Sequence, residues 1–213
     1  MNKRINNLFE KKQKKLVTFV TAGDPDYNTS LKIIKMLAKS GADMIEIGMP
    51  FSDPMADGPI IQMSSLRSIK KNINLNKIFK ICNEFRKQNK NVPIILMGYY
   101  NPIHYYGNKK FINKCSNSGV DGLIIVDLQP EEDNELLELS KRKNIDFIRL
   151  ITPTTKKLRL KKILSNASGF IYYVSVTGIT GQNSAKIKNL KTSIKSFSRA
   201  YCNTHIHIAE PTQ

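Results

Sequence analysis

Short apolar runs alternate with helix-like stretches along most of this chain of 213 residues. The runs are rich in Ile, Val, Leu and Tyr, as expected of strands that are buried on both faces of a sheet. They predict strands at residues 16–21, 43–48, 93–98, 122–127, 146–151 and 169–176. Because helical patterns lie between the strands, crossover connections and a parallel sheet are expected, in a barrel or a doubly wound fold.

The stretches between the strands place apolar residues at helical spacing, which predicts helices with one face laid against a sheet. Three such faces are Leu31, Ile34, Leu37 and Ala38; Ile78, Ile81, Cys82 and Phe85; and Ile187, Leu190, Ile194 and Phe197. Gly41 is the expected C-terminal cap of the first of these helices.

The sequence of the loop after the first predicted strand distinguishes between a barrel and a doubly wound fold. It reads TAGDPDYN and lacks the GxGxxG pattern with which open sheets bind dinucleotides. No long linker rich in Pro, Gly or Ser divides the chain, so one domain is predicted. The sequence therefore favours an α/β barrel, in which functional residues lie at the C-terminal ends of the strands.

Basic residues give the chain a formal net charge of +17. The lysines recur on nearly every predicted helix instead of forming one stripe, which favours solvated helix faces over a nucleic-acid surface. Cys82, Cys115 and Cys202 are far apart and lack metal-ligand spacing, which predicts free thiols, a cytoplasmic location and no metal site. No segment has the roughly 20 apolar residues of a membrane span, so no membrane association is expected.

One stretch has the opposite charge. Residues 40–66 contain no Lys or Arg, although Asp43, Glu46, Asp53 and Asp57 lie among them. A run of carboxylates without cations, in so basic a chain, indicates a local need for negative charge.

Glu46 is a candidate for proton transfer from its position alone. It lies in the second predicted strand, on the face opposite Ile45 and Ile47. If that face is the barrel interior, removal from water favours the neutral carboxyl and suits a proton donor and acceptor. A structural Glu paired with a core Lys or Arg is the alternative.

The loop that follows, MPFSDPMADGPI, holds Asp53 and Asp57 in Asp-Pro and Asp-Gly pairs, which are also ordinary turn sequences. The whole string IEIGMPFSDPMADGPIIQ, residues 45–62, resembles the signature of the tryptophan synthase alpha chain family. Four further segments resemble the family in the same order: VTFVTAGDPD, LMGYYNPIHYYG, DGLIIVDLQPEE and GFIYYVSVTGITG. Together the five segments cover residues 17 to about 190.

This resemblance implies a (β/α)8 TIM barrel and a carbon-carbon lyase of tryptophan biosynthesis. Such an enzyme cleaves indole-3-glycerol phosphate to indole and glyceraldehyde 3-phosphate by a retro-aldol reaction. By resemblance, Glu46 transfers protons and Asp57 accepts a hydrogen bond from the indole N–H. The substrate-binding residues implied are Phe19 and Tyr99 beside the indole, Tyr172 beside Glu46, and Thr180 and Gly181 on a mobile closing loop. By residue type alone, the aromatic residues of the strands also fit core packing.

The resemblance also implies a partner. The family's alpha chain docks on a beta chain that carries pyridoxal phosphate, in an α2β2 heterotetramer, and indole passes between the two through a tunnel. Pro50 and Asp53 are the contact residues implied for this chain. No cofactor is expected in this chain itself.

The end of the chain departs from the family pattern. Gly181 is the last glycine, whereas the family binds the substrate phosphate with glycines and a serine in its last two βα loops. Residues 204–209 alternate as a seventh strand would, but nothing from about Phe197 onward matches the family. Because a barrel of this type needs about 250 residues, residues 1–213 are expected to form a single TIM-barrel domain that lacks its last one or two βα units.

Weak or absent activity is the expected consequence, because the missing βα units would supply the backbone N–H donors that bind the substrate phosphate. The main alternative is therefore a truncated, catalytically weak barrel that docks on the beta chain and modulates it. A different phosphate-binding barrel enzyme, of the aldolase or isomerase type, is opposed by the absence of a strand-borne Schiff-base lysine. A nucleic-acid binder is the last alternative.

Overall fold

The computed structural model describes residues 2–10, 13–133 and 135–174. Their strands form one sheet: Val17–Thr21 (β1), Met44–Gly48 (β2), Ile94–Gly98 (β3), Gly122–Ile125 (β4), Asp146–Ile151 (β5) and Ile171–Tyr173 (β6). The strands follow one another in chain order, and each neighbouring pair is parallel. The predicted parallel sheet is therefore confirmed for this part of the chain.

The predicted strands differ from the observed ones only at their ends. β5 has the predicted bounds, and β1, β2 and β3 each begin one residue later than predicted. β4 ends at Ile125, before Asp127, whose carboxylate accepts a hydrogen bond from the Tyr100 N–H at 2.7 Å. The predicted end of β6, residues 175–176, lies outside the described residues.

The helices of the described part are Lys3–Glu10 (α1), Tyr27–Lys39 (α2), Pro59–Lys70 (α3), Leu75–Gln88 (α4), Tyr100–Tyr106 (α5), Asn108–Asn117 (α6), Leu136–Arg142 (α7) and Lys157–Ser165 (α8). α2 and α4 carry the first two predicted apolar faces, and Ile34, Ile78 and Phe85 are buried there. Gly41 follows the end of α2 with a φ of +101°, as predicted for a residue that stops a helix. The third predicted face falls on residues that are not described.

Side chains explain where α2 and α4 begin. The Asp26 carboxylate accepts a hydrogen bond from the Thr29 N–H at 2.9 Å. The Asn74 side-chain oxygen accepts one from the Lys77 N–H at 3.1 Å. Each contact satisfies an N–H that has no partner within the first turn of its helix.

The sheet has two different buried faces. On one, residues such as Ile45 and Leu96 pack against the helices. On the other, alternate residues such as Met44 and Ile95 pack against Phe9 of α1. The sheet curls around this second face into part of a barrel, so the predicted TIM-barrel-like fold is confirmed for the strands described.

A buried ionic cluster ties α1 to the rest of the barrel. Asp121 is 0% exposed and accepts hydrogen bonds from the guanidinium groups of Arg4, at 2.7 Å, and Arg86. It also accepts one from the Ile94 N–H at 2.8 Å, at the start of β3. This single carboxylate therefore joins α1, α4 and the N-terminal ends of two strands.

The cysteines, the absence of membrane spans and the end of the chain were also predicted from the sequence. Cys82 and Cys115 are free and buried, as predicted, whereas Cys202 lies outside the described residues. None of the described helices has the length and apolar character needed to cross a membrane. The seventh strand at residues 204–209 and the missing last βα units concern undescribed residues and stay predictions.

Candidate active site

The stretch without Lys or Arg, residues 40–66, includes β2 and the loop that follows β2 at the C-terminal edge of the sheet. Glu46 on β2 is in register with Phe19 on β1 and with Ile95 on β3. Because residues in register point to the same face of a sheet, Glu46 lies on the interior face with Phe19. The loop between β2 and α3, residues 49–58, carries Asp57 to this same end of the barrel.

Glu46 is only 3% exposed. Its Oε1 accepts no hydrogen bond from the described residues, and the ion pairs of that part of the chain do not include it. Burial raises the pKa of Glu46 from its ordinary value of 4.5 to about 7, because removal from water disfavours the charged form. A Glu46 paired with a core Lys or Arg is therefore excluded among the described residues.

Asp57 is half-buried beside Gly58, the N-cap residue directly before α3. Burial raises the pKa of Asp57 above the usual carboxyl value, and a hydrogen bond from the Tyr99 hydroxyl opposes that shift. Asp57, Phe19 and Tyr99 line one small cavity, and none of its described lining residues is Lys or Arg. The described residues therefore place a carboxylate and two aromatic rings, and no cation, around one space.

The aromatic residues differ in their surroundings. Phe19 is 38% exposed, so it is not an ordinary core residue, whereas Tyr99 is buried. Tyr172 packs at the edge of the interior apolar cluster, and its pKa is raised by burial and by the nearby Glu46. Tyr172 thus contributes to core packing within reach of the Glu46 charge, and its role in substrate binding stays a prediction.

The predicted contact residues lie in the first half of the β2–α3 loop. Pro50 is partly buried, whereas Asp53 is exposed and accepts a hydrogen bond from the Ser52 hydroxyl. Thr180 and Gly181 lie outside the described residues. The catalytic, binding and contact roles of all these residues stay predictions.

Sequence reasoning missed a polar contact that fixes α3 beside the loop after β1. Ser64 and Arg67 donate hydrogen bonds to the Asp24 carboxylate, and each donor-acceptor distance is 2.7 Å. Ser68 donates to the Ala22 carbonyl oxygen, also at 2.7 Å. The spacing of the three donors, at i, i+3 and i+4, marks one helix face and was the available signal.

Residues 5–205 match the sequence model of a family described as tryptophan synthase alpha chain. The match continues past Phe197, so the family pattern extends further than the five sequence segments indicate.

Solved structures agree with this match. Tryptophan synthase subunit alpha from Legionella pneumophila str. Paris is 36% identical with a TM-score of 0.88, over 98% of this chain and 78% of that one. A tryptophan synthase structure from Mycobacterium tuberculosis is 26% identical with a TM-score of 0.86, over 99% of this chain and 79% of that one. A structure of the tryptophan synthase a2b2 complex from Pyrococcus furiosus is 34% identical with a TM-score of 0.78, over 91% and 76%. Since the family match spans most of the sequence and the folds agree, this chain belongs to the tryptophan synthase alpha chain family.

Proposed function

We propose that this chain is a tryptophan synthase alpha subunit that cleaves indole-3-glycerol phosphate to indole and glyceraldehyde 3-phosphate, with Glu46 moving the protons. Membership of the family implies a lyase, and the state of Glu46 supports the particular reaction. This carboxyl is buried, its Oε1 has no hydrogen-bond partner among the described residues, and its pKa is about 7. Such a group is protonated and ionised in similar amounts near pH 7, so it is suited both to give a proton and to take one.

The retro-aldol reaction needs two proton transfers. A proton adds to the indole ring carbon that carries the glycerol chain, which leaves positive charge shared with the ring nitrogen. The bond between that carbon and the glycerol chain then breaks, and its electron pair returns to the ring. The adjacent hydroxyl loses its proton and becomes the aldehyde. In the proposal, neutral Glu46 supplies the first proton and ionised Glu46 accepts the second.

Asp57 has a complementary role in the proposal. A carboxylate that accepts a hydrogen bond from the ring N–H stabilises the positive charge that protonation places on the ring. The half-buried position of Asp57, in a cavity whose described lining has no cation, supports this role. The hydrogen bond from Tyr99 favours the ionised form that the role requires.

The aromatic residues form the proposed walls of the indole site. Phe19 and Tyr99 line the cavity that Asp57 shares, and Tyr172 lies near Glu46. Thr180 and Gly181 are proposed for the closing loop on the resemblance alone.

Gly48→Ala tests the wall formed by Phe19. A Cβ at position 48 would lie 2.6 Å from Cζ of Phe19, so the ring must leave its present position. We expect the affinity for indole to fall roughly tenfold. The fluorescence of indole itself reports binding, because this chain contains no Trp. Adding Phe19→Leu to Gly48→Ala relieves the overlap, and unchanged indole affinity in the single variant would contradict the proposed wall.

The beta chain is the proposed partner. The related Pyrococcus furiosus structure is described as an a2b2 complex, and we extend that assembly to this chain, with Pro50 and Asp53 as contact residues. Pyridoxal phosphate would belong to the beta chain, and no cofactor is proposed for this one. The cytoplasm is the proposed location, in keeping with the buried free thiols.

Asp57→Asn is expected to lower kcat for indole release roughly a hundredfold, because the amide carries no negative charge to stabilise the protonated ring. Asp53→Asn, on the exposed part of the same loop, is the matched control. It should leave indole release by the isolated chain unchanged and weaken stimulation of the beta chain. Equal indole release by the two variants would remove Asp57 from the chemistry.

One experiment tests the function as a whole. Indole release from indole-3-glycerol phosphate is measured with the purified chain alone and with a tryptophan synthase beta chain. The proposal predicts slow indole release by the chain alone and faster release with the beta chain. A chain that stimulates the beta reaction but releases no indole would be a docking subunit instead.

A further inference from the structure

Tyr99 reaches across the mouth of the barrel to the β2–α3 loop. It lies directly after β3, and its hydroxyl oxygen accepts a hydrogen bond from the Ala56 N–H at 3.0 Å. The same hydroxyl lies close enough to the Asp57 side chain to lower the pKa of that carboxyl. A phenol has one proton to donate and lone pairs to accept, so it satisfies both contacts at once.

The ring of Tyr99 is buried and packs against another aromatic ring. Tyr99 is only 3% exposed. Its ring centroid lies 5.4 Å from that of Phe51, at an interplanar angle of 34°, which is favourable aromatic packing. Phe51 lies near the start of the loop and Asp57 near its end, so one side chain contacts both.

Near Asp57, the other contacts of the loop are with its own neighbours in the sequence: the Gln62 side-chain amide donates a hydrogen bond to the Asp57 carbonyl oxygen at 2.8 Å. The Asp57 N–H is 3.4 Å from the Pro54 carbonyl oxygen, at the long limit of a hydrogen bond. Asp53, Met55 and Ala56 are exposed. The buried Tyr99 side chain is therefore the principal contact between this end of the loop and the sheet within the part of the chain that is described.

We propose that Tyr99 is a positioning residue for Asp57: its hydroxyl holds the loop at Ala56 and orients the Asp57 carboxylate toward the substrate. This inference rests on the proposed function. In the proposed function the ring of Tyr99 forms a wall of the indole site, and the inference gives its hydroxyl a separate role.

Tyr99→Phe separates the two roles, because it keeps the ring and removes only the hydroxyl. Loss of a hydrogen bond to an ionised group lowers kcat by about tenfold to a hundredfold, whereas KM and indole affinity stay close to those of the unchanged chain. The Ala56 amide, having lost its acceptor, should exchange its hydrogen at least about tenfold faster. Hydrogen exchange is a readout that does not depend on turnover.

Tyr100→Phe is the matched control, since it removes the hydroxyl of the next residue. That hydroxyl accepts a hydrogen bond from the Asn108 side chain, away from the β2–α3 loop. The control should leave kcat and the exchange of the Ala56 amide unchanged.

Asp57→Asn in the same series distinguishes failure of the inference from failure of the function. If Asp57→Asn loses activity while Tyr99→Phe keeps both its kcat and its Ala56 exchange rate, the positioning role is wrong and the function stands. If Asp57→Asn keeps full activity, the proposed function fails first. A rise in KM alone in Tyr99→Phe would also overturn the positioning role, because it would assign the hydroxyl to substrate binding.

Discussion

Glu46→Gln is expected to lower indole release roughly 10²- to 10⁴-fold, the usual contribution of a positioned acid or base, while making the folded chain more stable at pH 8. The amide has nearly the shape of the carboxyl but can neither give nor take the required protons. Since Oε1 has no partner among the described residues, no observed hydrogen bond is lost there. Steady-state kinetics and urea unfolding on the same preparation check both effects.

The gain in stability follows from the sign of the pKa shift. The folded state binds the Glu46 proton more tightly than the unfolded chain, because the pKa is about 7 in the fold against an ordinary 4.5. Stability therefore falls as pH rises from about 4.5 to about 7, and the full loss of about 3 kcal/mol is present above that range. Glu46→Gln should remove this loss at pH 8 and change little at pH 4.

Glu138→Gln is the control for both measurements. Glu138 is exposed and pairs with Lys141 at 2.8 Å, so its replacement should leave the free energy of unfolding nearly unchanged. A Glu46→Gln variant that releases indole at the normal rate would refute the proton-transfer role. Equal stability curves for the two variants would refute the account of the Glu46 environment.

Asp121→Ala is expected to cost about 3 to 5 kcal/mol in the free energy of unfolding. The change leaves the buried Arg86 guanidinium without its carboxylate and removes one of the acceptors of the Arg4 side chain and the acceptor of the Ile94 N–H. Such a loss is a large part of the roughly 5 to 15 kcal/mol that stabilises an ordinary domain. The midpoint and slope of urea unfolding measure it.

Two further variants test the cause. Glu84→Ala, which breaks an exposed pair with Lys87, should change the free energy of unfolding only slightly, because water screens such a pair. Adding Arg86→Met to Asp121→Ala should recover part of the lost stability, because the unpaired buried charge is then gone. A single Asp121→Ala variant as stable as Glu84→Ala would mean that this cluster does not stabilise the barrel.

Part of the candidate site could be predicted without coordinates. Glu46 and Asp57 attract attention because no Lys or Arg lies near them in an otherwise basic chain, and the surrounding string resembles one family closely. The environment of Glu46 could not be predicted with the same certainty. Strand alternation shows only that Glu46 opposes Ile45, and the curvature of the whole sheet decides which face is enclosed.

By itself, the sequence determined the parallel α/β sheet and the family, because these depend on local apolar runs and on strings of neighbouring residues. Only the tertiary structure decided which charges are paired and which are isolated. Tyr99 contacts Ala56 across 43 positions, and Arg4 contacts Asp121 across 117. These partners are far apart in the sequence and meet only because of how the strands and loops pack. Local periodicity therefore does not predict them.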